Sequence, residues 1–198
     1  QGAVAGAAGD ERALTWRAST AAALAALPRL LAARGLSCGV SHSSGLVLKL
    51  ALATLQRFRT SVAAAACGFA QRALDESVSH LSSREQFGRP LAKFQGLRFE
   101  VAEMDARLRA AQLLVAEAAG VLDEGSDATS EVARAKLIAT ETAGWICDRA
   151  VQLHGGLGVK KGSVVERLYR EERALRIYEG TSEIQKLILA KEIFDQES

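Results

Sequence analysis

The fold is decided by residues 94–122, which read FQGLRFEVAEMDARLRAAQLLVAEAAGVL. Apolar side chains recur in this stretch at alternating intervals of three and four residues, which is the period of one face of an α-helix. They are Phe94, Leu97, Val101, Met104, Leu108, Ala111, Val115, Ala118 and Leu122. A stripe this regular predicts a helix that packs at a shallow angle against its neighbours in a bundle.

Helical spacing continues on both sides of this stretch. Upstream, the apolar pattern of residues 46–81 predicts one long helix, with Gly68 as the point where it would bend. Downstream, residues 124–127 break the pattern, and residues 132–153 carry it again until a pair of glycines at 155–156 ends the helix. The sequence therefore predicts three long helices before residue 157.

Two shorter helices complete the pattern. Residues 164–175 predict a short helix, and another begins just after Gly180. Ser182 and Gln185 have the spacing of a capping box, with Thr181 as the alternative cap. Because no strand-period run of useful length occurs, the predicted fold class is all-α, an antiparallel four-helix bundle with an additional short helix.

This bundle is assigned to residues 45–198, whereas residues 1–44 form a poorly specified leader rich in Ala, Gly and Arg. Arginines in an Ala/Leu/Ser background resemble a mitochondrial transit peptide, although Asp10 and Glu11 oppose that interpretation. A mispredicted or disordered leader is the alternative. Because the chain begins at Gln1 and its only methionine is Met104, we expect a fragment, a processed form or an incomplete gene model.

The composition excludes several classes of function. Apolar residues make up 48% of the chain and charged ones 24%, as in soluble globular proteins. The 25 basic and 23 acidic residues leave a net charge of +2, which gives no field that favours nucleic acid or anionic lipid. The longest apolar run, at 46–55, is interrupted by Lys49 and is too short for a membrane span.

The cysteines and histidines are scattered along the chain. No CxxC pair and no metal-ligand spacing occurs among them, so we expect a reducing compartment and no metal site. The residues concerned are Cys38, Cys67, Cys147, His42, His80 and His154.

The glycines of residues 155–158 do not form a dinucleotide-binding loop. They lack GxGxxG spacing and follow a helix rather than a strand, so a Rossmann site is excluded. Taken alone, they are typical of a loop that ends a helix.

Four segments taken together carry a family resemblance. They are RTSVAA at 59–64, REQFGRPL at 84–91, QLHGGLG at 152–158 and IYEGTSEIQ at 177–185. In content, order and separation they closely resemble the C-terminal helical domain of acyl-CoA dehydrogenases, and the resemblance covers residues 45–195. The fold it implies is the helical bundle already predicted from the periodicity.

The resemblance implies a chemistry for Glu179. In that family the carboxylate of the YEGT loop removes the α-proton of an acyl-CoA thioester while the β-hydrogen leaves as hydride to N5 of FAD, giving a trans-2-enoyl-CoA. A carboxylate at a helix entrance is stabilised by the helix dipole, and burial beside a thioester opposes this by raising its pKa. Without the motif, Glu179 would be an ordinary first-turn acidic residue. The alternative family position for the base is occupied by Phe58, which cannot abstract a proton.

The resemblance also assigns substrate and cofactor contacts. Arg59, Tyr178 and Gly180 would lie by the substrate, although Arg59 could equally be a snorkelling surface residue. Contacts to FAD fall into three groups: Arg84, Phe87 and Gln95 at the pyrophosphate and adenosine end across a dimer interface, Gln152, Leu153, His154, Gly155 and Gly156 along the partner's FAD, and Thr181, Ser182 and Glu183 on the flavin side. The alternatives are a structural salt bridge for Arg84 and a capping role for residues 181–183. His154 is assigned no chemistry of its own.

Partners follow from the same resemblance. It implies an acyl-CoA substrate, an electron-transfer flavoprotein or similar acceptor, and a homodimer or homotetramer in the mitochondrial matrix or the bacterial cytoplasm. Full-length members carry two further domains, for which residues 1–44 are too short and too rich in alanine. Two other functions stay open: a non-catalytic helical assembly module, and an acyl-CoA oxidase that passes electrons to oxygen.

Overall fold

The computed structural model describes residues 44–195. Within them lie the helices α1 (Ser44–Ser83), α2 (Gln95–Asp123), α3 (Thr129–His154), α4 (Val164–Glu172) and α5 (Ser182–Asp195). The predicted all-α bundle of four main helices and one short helix is confirmed. The predictions for the leader, including Cys38 and His42, fall outside the described residues.

The segment between α1 and α2 contains a hairpin that the sequence did not predict. Strands β1 (Glu85–Gln86) and β2 (Arg89–Pro90) pair antiparallel around a two-residue loop. In that loop, Phe87 and Gly88 have φ values of 53° and 76°. Positive φ at both central residues is what a type I′ turn requires, and Gly88 meets the requirement without strain. With only two residues in each strand, the hairpin is too short to show a strand period.

Helix α3 lies at the centre of the bundle. It packs against α2, α4 and α5, and shares an apolar cluster with α1. Small side chains dominate that cluster and let the helices approach closely: Ala63, Ala66, Ala70, Ala73, Ala111, Ala139, Ala143 and Ala150. Side chains on α3 can therefore reach loops at both ends of the bundle.

The start of α5 differs from the predicted capping box. The helix begins at Ser182, so Thr181 occupies the position before its first turn. The Ser182 hydroxyl donates to Glu141 Oε1 at 2.5 Å rather than capping its own helix. The Gln185 amide likewise turns away, towards the loop before α5. A tertiary hydrogen bond thus replaces the local one that the spacing suggested.

Over residues 44–195, none of the helices is long and apolar enough to cross a membrane.

Candidate active site

The loop between α4 and α5 holds its backbone in an uncommon conformation. Two successive residues have positive φ, 59° at Glu179 and 96° at Gly180. Glycine adopts this region freely, whereas a residue with a β-carbon is strained there. A glutamate in such a position requires contacts that hold the loop in place.

Those contacts are hydrogen bonds to the two carbonyls of the strained residues. Arg59 Nε donates to Glu179 O at 2.8 Å, and Lys136 Nζ donates to Gly180 O at 2.7 Å. Gln185 Nε2 donates to Gly180 O at 3.0 Å, with Glu179 O at 3.5 Å. The three donors come from α1, α3 and α5, so three helices fix one loop.

The donors are buried. Arg59 is 8% exposed, while Lys136 and Gln185 are 0% exposed. The alternative in which Arg59 snorkels along the surface is therefore wrong, because its guanidinium lies inside the bundle and binds the loop backbone. Gly180 has to be small here, since a β-carbon would lie 2.9 Å from Gln185 Nε2 and 3.3 Å from Arg59 Nη2.

The charges around the loop influence one another. Burial lowers the pKa of Arg59, and the neighbouring Glu179 carboxylate opposes that effect. Burial and the charge of Arg59 lower the pKa of Lys136, against the attraction of Glu141, Glu179 and Glu183. The Glu179 carboxylate thus lies within electrostatic reach of two buried cations.

The other predicted loop residues differ in their exposure to solvent. Tyr178 is 45% exposed, and burial together with Glu179 raises the pKa of its phenol. Ser182 is buried against Glu141. Glu183 is exposed, and hydrogen bonds from its own N–H and the Thr181 hydroxyl lower the pKa of its carboxyl. Tyr178, Thr181 and Glu183 therefore keep exposed or partly exposed surface.

A second cluster lies at the other end of α3, around a cavity of about 860 Å³. Six of the predicted cofactor residues line it: Arg84, Gln152, Leu153, His154, Gly155 and Gly156. His80, Glu100 and Arg149 also line it. Segments that are far apart in sequence, 84 and 152–156, are thus brought to one surface.

The cavity has features that suit a phosphate-bearing cofactor. Arg84 and Arg149 place two guanidinium groups at its wall, against the single carboxylate of Glu100. Arg149 Nε is buried without a hydrogen-bond partner among the described residues, and Asp148 lies 3.9 Å away. Gly155 has φ 57°, and Gly156 has open space where a β-carbon would stand. Arginine forks and bare backbone are the groups that contact phosphate oxygens closely.

Two histidines at the cavity stack on each other. The rings of His80 and His154 are 4.4 Å apart with an interplanar angle of 23°, and His154 Nδ1 lies 2.7 Å from Ala150 O. Burial, His154 and Arg84 together lower the pKa of His80. The stack joins the ends of α1 and α3.

Phe87 and Gln95 do not line this cavity. Phe87 is 90% exposed at the tip of the hairpin, where its ring meets Phe94 edge-on at 6.2 Å. Gln95 is exposed at the first position of α2. The cavity of this chain therefore brings Arg84 to residues 152–156 but leaves these two apart.

The loop and the cavity are separate sites on one helix. Lys136 marks the first and Gln152 the second, and the intervening turns of α3 span about 24 Å at about 1.5 Å per residue. No residue belongs to both sets.

Sequence reasoning missed the buried groups that hold the loop. Lys136 interrupts the apolar face of α3 between Val132 and Ala139, which was a usable signal because lysine is rarely buried without a partner. Gln185 was considered only as a cap. For Glu141 and Arg176, which pair at 3.3 Å beside Ser182, the sequence carries no local signal.

In the part of the chain that the structure describes, no three His, Cys, Asp or Glu side chains come together as metal ligands.

Comparison with known proteins identifies the family. Residues 48–194 match the family model described as acyl-CoA dehydrogenase, C-terminal domain. A 3-(aryl)acrylate reductase of Clostridium sporogenes is 47% identical over 72% of this chain and 38% of that protein. The caffeyl-CoA reductase-Etf complex subunit CarC of Acetobacterium woodii is 44% identical over 71% of this chain and 37% of that protein.

A solved structure gives the same result. Butyryl-CoA dehydrogenase from Megasphaera elsdenii superposes with a TM-score of 0.73 at 38% identity, covering 74% of this chain and 38% of that one. The chain thus spans less than two fifths of the length of these relatives. The chain belongs to the acyl-CoA dehydrogenase family, whose C-terminal domain it matches over residues 48–194.

Proposed function

We propose that this chain supplies the catalytic base and part of the cofactor site of an FAD-dependent acyl-CoA dehydrogenase, which converts an acyl-CoA thioester into a trans-2-enoyl-CoA. The observation that carries the proposal is the loop at Glu179. A strained carboxylate residue is held by buried donors from three helices, as a base that must keep one position requires.

In this proposal Glu179 accepts the proton from the α-carbon of the thioester. The electron pair of that C–H bond forms the double bond between the α- and β-carbons. Bound FAD would take up the β-hydrogen together with its electron pair. Arg59 and Lys136 attract the Glu179 carboxylate, while their hydrogen bonds to the backbone fix where it lies.

The residues around the cavity fit the anionic part of FAD. Arg84 and Arg149 would pair with the pyrophosphate oxygens, and Gly155 and Gly156 would let the backbone approach the cofactor. Gln152, Leu153 and His154 would complete this wall. On the base side, Thr181 and Glu183 would face the flavin and Tyr178 the substrate, whereas the Ser182 hydroxyl is occupied by Glu141.

The separation of the two sites supports an arrangement with two subunits. Because about 24 Å of helix α3 lies between them, we assign the loop to the subunit's own FAD and the cavity to the FAD of its partner. A homodimer, or a homotetramer built from such dimers, would complete both sites. Phe87 and Gln95 would then meet the cofactor only across the interface.

The reverse reaction is a second candidate, because two of the relatives are named as reductases. A protonated Glu179 would return the proton to the α-carbon in that direction. An electron-transfer flavoprotein or a similar carrier would exchange electrons with the flavin, and one relative is named as part of a complex with Etf. A mitochondrial matrix or bacterial cytoplasmic location is part of the same proposal.

The test combines flavin absorbance with dye-coupled oxidation of acyl-CoA. We expect bound FAD in the purified protein and an oxidation rate that falls by roughly 10²- to 10⁴-fold in Glu179→Gln, the usual contribution of a general base. The substitution keeps the size of the side chain and removes its basicity. Unchanged FAD content in the variant would separate loss of the base from loss of the cofactor.

Other outcomes contradict the proposal. Flavin-free, inactive protein that still oligomerises would reject enzyme function for this chain and favour the helical assembly module. Release of hydrogen peroxide in the same assay would show an oxidase. A Glu179→Gln variant with the wild-type rate would remove Glu179 from the reaction.

A further inference from the structure

Lys136 is a charged residue in a fully enclosed position. It lies on α3, is 0% exposed, and its amine donates to Gly180 O at 2.7 Å. Removing an ammonium group from water is costly unless it is paired and hydrogen-bonded. Methionine or leucine would fill the same space without that cost, so the amine has a role that packing alone does not require.

The partner of this amine is specific. Lys136 bonds the residue that follows Glu179, and Arg59 bonds the carbonyl of Glu179 itself. Both carbonyls belong to residues whose φ is positive. The two hydrogen bonds hold the two peptide planes that flank Gly180. The first of these planes contains the Cα of Glu179, from which the carboxylate side chain leaves the backbone.

We propose that Lys136 is a positioning residue for the base: by holding the Gly180 carbonyl from inside the bundle, it fixes the left-handed backbone from which the Glu179 carboxylate reaches its substrate. This inference rests on the function proposed for Glu179. It assigns to α3 a part in catalysis that the motif residues at 177–185 do not contain.

The charge of the amine adds to its hydrogen bond. The groups that face Lys136 are Arg59 on α1, Glu141 on α3, Glu179 in the loop and Glu183 on α5. The three carboxylates raise the pKa of Lys136, but burial, the largest influence, acts with Arg59 to keep that pKa below its ordinary value. Loss of the amine would leave the Gly180 carbonyl with Gln185 Nε2 as its remaining side-chain donor.

Amide hydrogen exchange tests this role without cofactor or substrate. Two bonded amides flank the loop: Tyr178 N–H donates to Ala174 O at 3.2 Å, and Gln185 N–H donates to Thr181 O at 3.1 Å. In Lys136→Met, which keeps an unbranched side chain and removes the amine, we expect both amides to exchange at least about tenfold faster than in wild type, the effect of losing about 1.4 kcal/mol of local stability.

Ser77→Ala is the matched control. Ser77 is buried on α1, and its hydroxyl bonds the Ala73 carbonyl of its own helix at 2.8 Å, away from the loop. Its loss alters a buried hydrogen bond of α1 and leaves residues 177–185 untouched. Lys136→Arg retains the cation and the donor, and we expect it to restore part of the protection at the loop.

The enzyme assay supplies the second measurement. In Lys136→Met we expect kcat to fall by roughly 10- to 100-fold, because a small misplacement of a reacting group has an effect of this size. The KM for acyl-CoA and the FAD content are expected to stay near wild type. Lys136→Arg should recover much of the lost kcat.

The two measurements separate the possible failures. Exchange at Tyr178 and Gln185 that rises no more in Lys136→Met than in Ser77→Ala would overturn the positioning role, whatever the activity. An active wild type with unchanged kcat in Lys136→Met would overturn it as well. An inactive, flavin-free wild type would instead reject the proposed function, while the exchange result would still report whether Lys136 holds the loop.

Discussion

At the scale of single residues, Glu179 carries a carboxylate side chain on a backbone whose positive φ disfavours any residue with a β-carbon. Its φ of 59° places a β-carbon in the left-handed region, at a cost of about 1–2 kcal/mol. Lys136 and Arg59 hold it there. The loop therefore stores strain at the position of the proposed base.

Replacing Glu179 by glycine should release that strain. We expect Glu179→Gly to have a free energy of unfolding about 0.5–1 kcal/mol higher than Glu179→Gln, since both lack the carboxylate and only the first relieves the backbone. Urea denaturation of the two variants measures the difference. Equal stabilities would show that the surrounding helices, and not the residue, determine this conformation.

Glu172 predicts a dependence of stability on pH. The residue is 2% exposed, and its Oε2 has no hydrogen-bond partner among the described residues. Burial raises the pKa of its carboxyl above the ordinary 4.5, against the attraction of Arg176 and Arg173. The folded protein thus binds this proton more tightly than the unfolded chain does. The contribution of protonated Glu172 to the free energy of unfolding is therefore fully present below about pH 4.5, and it is lost as the pH rises through the raised pKa.

Glu172→Gln removes the ionisation at this position. We expect the variant to be more stable than wild type by about 1 kcal/mol at neutral pH, because it buries no charge. The advantage should shrink at about pH 4, where Glu172 is protonated in both states. Guanidine-free urea titrations at the two pH values measure both differences. A variant that is less stable than wild type at neutral pH would show that the arginines outweigh the burial.

At the scale of elements, the turn that follows α3 contains two glycines with opposite requirements. A β-carbon at Gly158 would overlap the Val151 carbonyl, whereas one at Gly156 meets open space. We expect Gly158→Ala to lose roughly 1–3 kcal/mol, because backbone has to move, and Gly156→Ala to stay within about 0.5 kcal/mol. Thermal unfolding compares the pair, and Gly156→Ala serves as the control for adding a methyl group.

Gly156→Ala should still weaken FAD binding, since the open space is where the cofactor is proposed to lie. Comparable losses of stability in the two variants would place the constraint in the glycine backbone rather than in the contact with Val151.

The elements differ in how far sequence could predict them. Periodicity predicted α2 from Phe94 to Leu122, within a residue of the observed Gln95–Asp123, because an amphipathic stripe is a local property. Ser182 was mispredicted as the cap of α5, since it forms a bond to a residue 41 positions away, whereas the alternative, Thr181, lies directly before the helix. Lys136 was missed for the same reason, as its partner Gly180 is 44 positions away.

The site was predicted unevenly for a related physical reason. Motif residues such as Glu179 and Arg84 were predicted because several segments occur together in one order. Which of them meet depends on how α1 and α3 pack, and no single segment contains that information. Only the packed structure shows that Arg84 lines one cavity with residues 152–156 and that Phe87 does not line it.

At the scale of the whole molecule, the distance between loop and cavity predicts complementation between two inactive variants. Glu179→Gln lacks the proposed base, and Arg84→Glu reverses a charge in the cavity. If each cavity serves the partner's FAD, a mixed dimer has one intact site, formed by the base of one subunit and the cavity of the other.

Random mixing of the two variants should therefore recover about a quarter of the wild-type rate, since half of the dimers are mixed and half of their sites are intact. The dye-coupled assay after joint unfolding and refolding measures this recovery. Each variant refolded alone is the control. A mixture no more active than its components would place base and cavity contacts for one FAD within a single subunit.

The burial of Lys136 has a further chemical consequence. A thioester acylates free amines, and it does so faster when the amine is neutral, the form that burial favours by lowering the pKa of Lys136. Beside a reactive thioester, this amine would be open to acylation if solvent reached it. Its 0% exposure removes that route.

Prolonged incubation with acyl-CoA, followed by peptide mapping, should then find acyl groups on the exposed Lys160 and Lys161 and none on Lys136. Acylated Lys136 would mean that the bundle opens often enough to admit the substrate. The closed interior would thus protect the amine from the proposed acyl-CoA substrate, and the chemical lifetime of the protein would depend on how rarely α3 is uncovered.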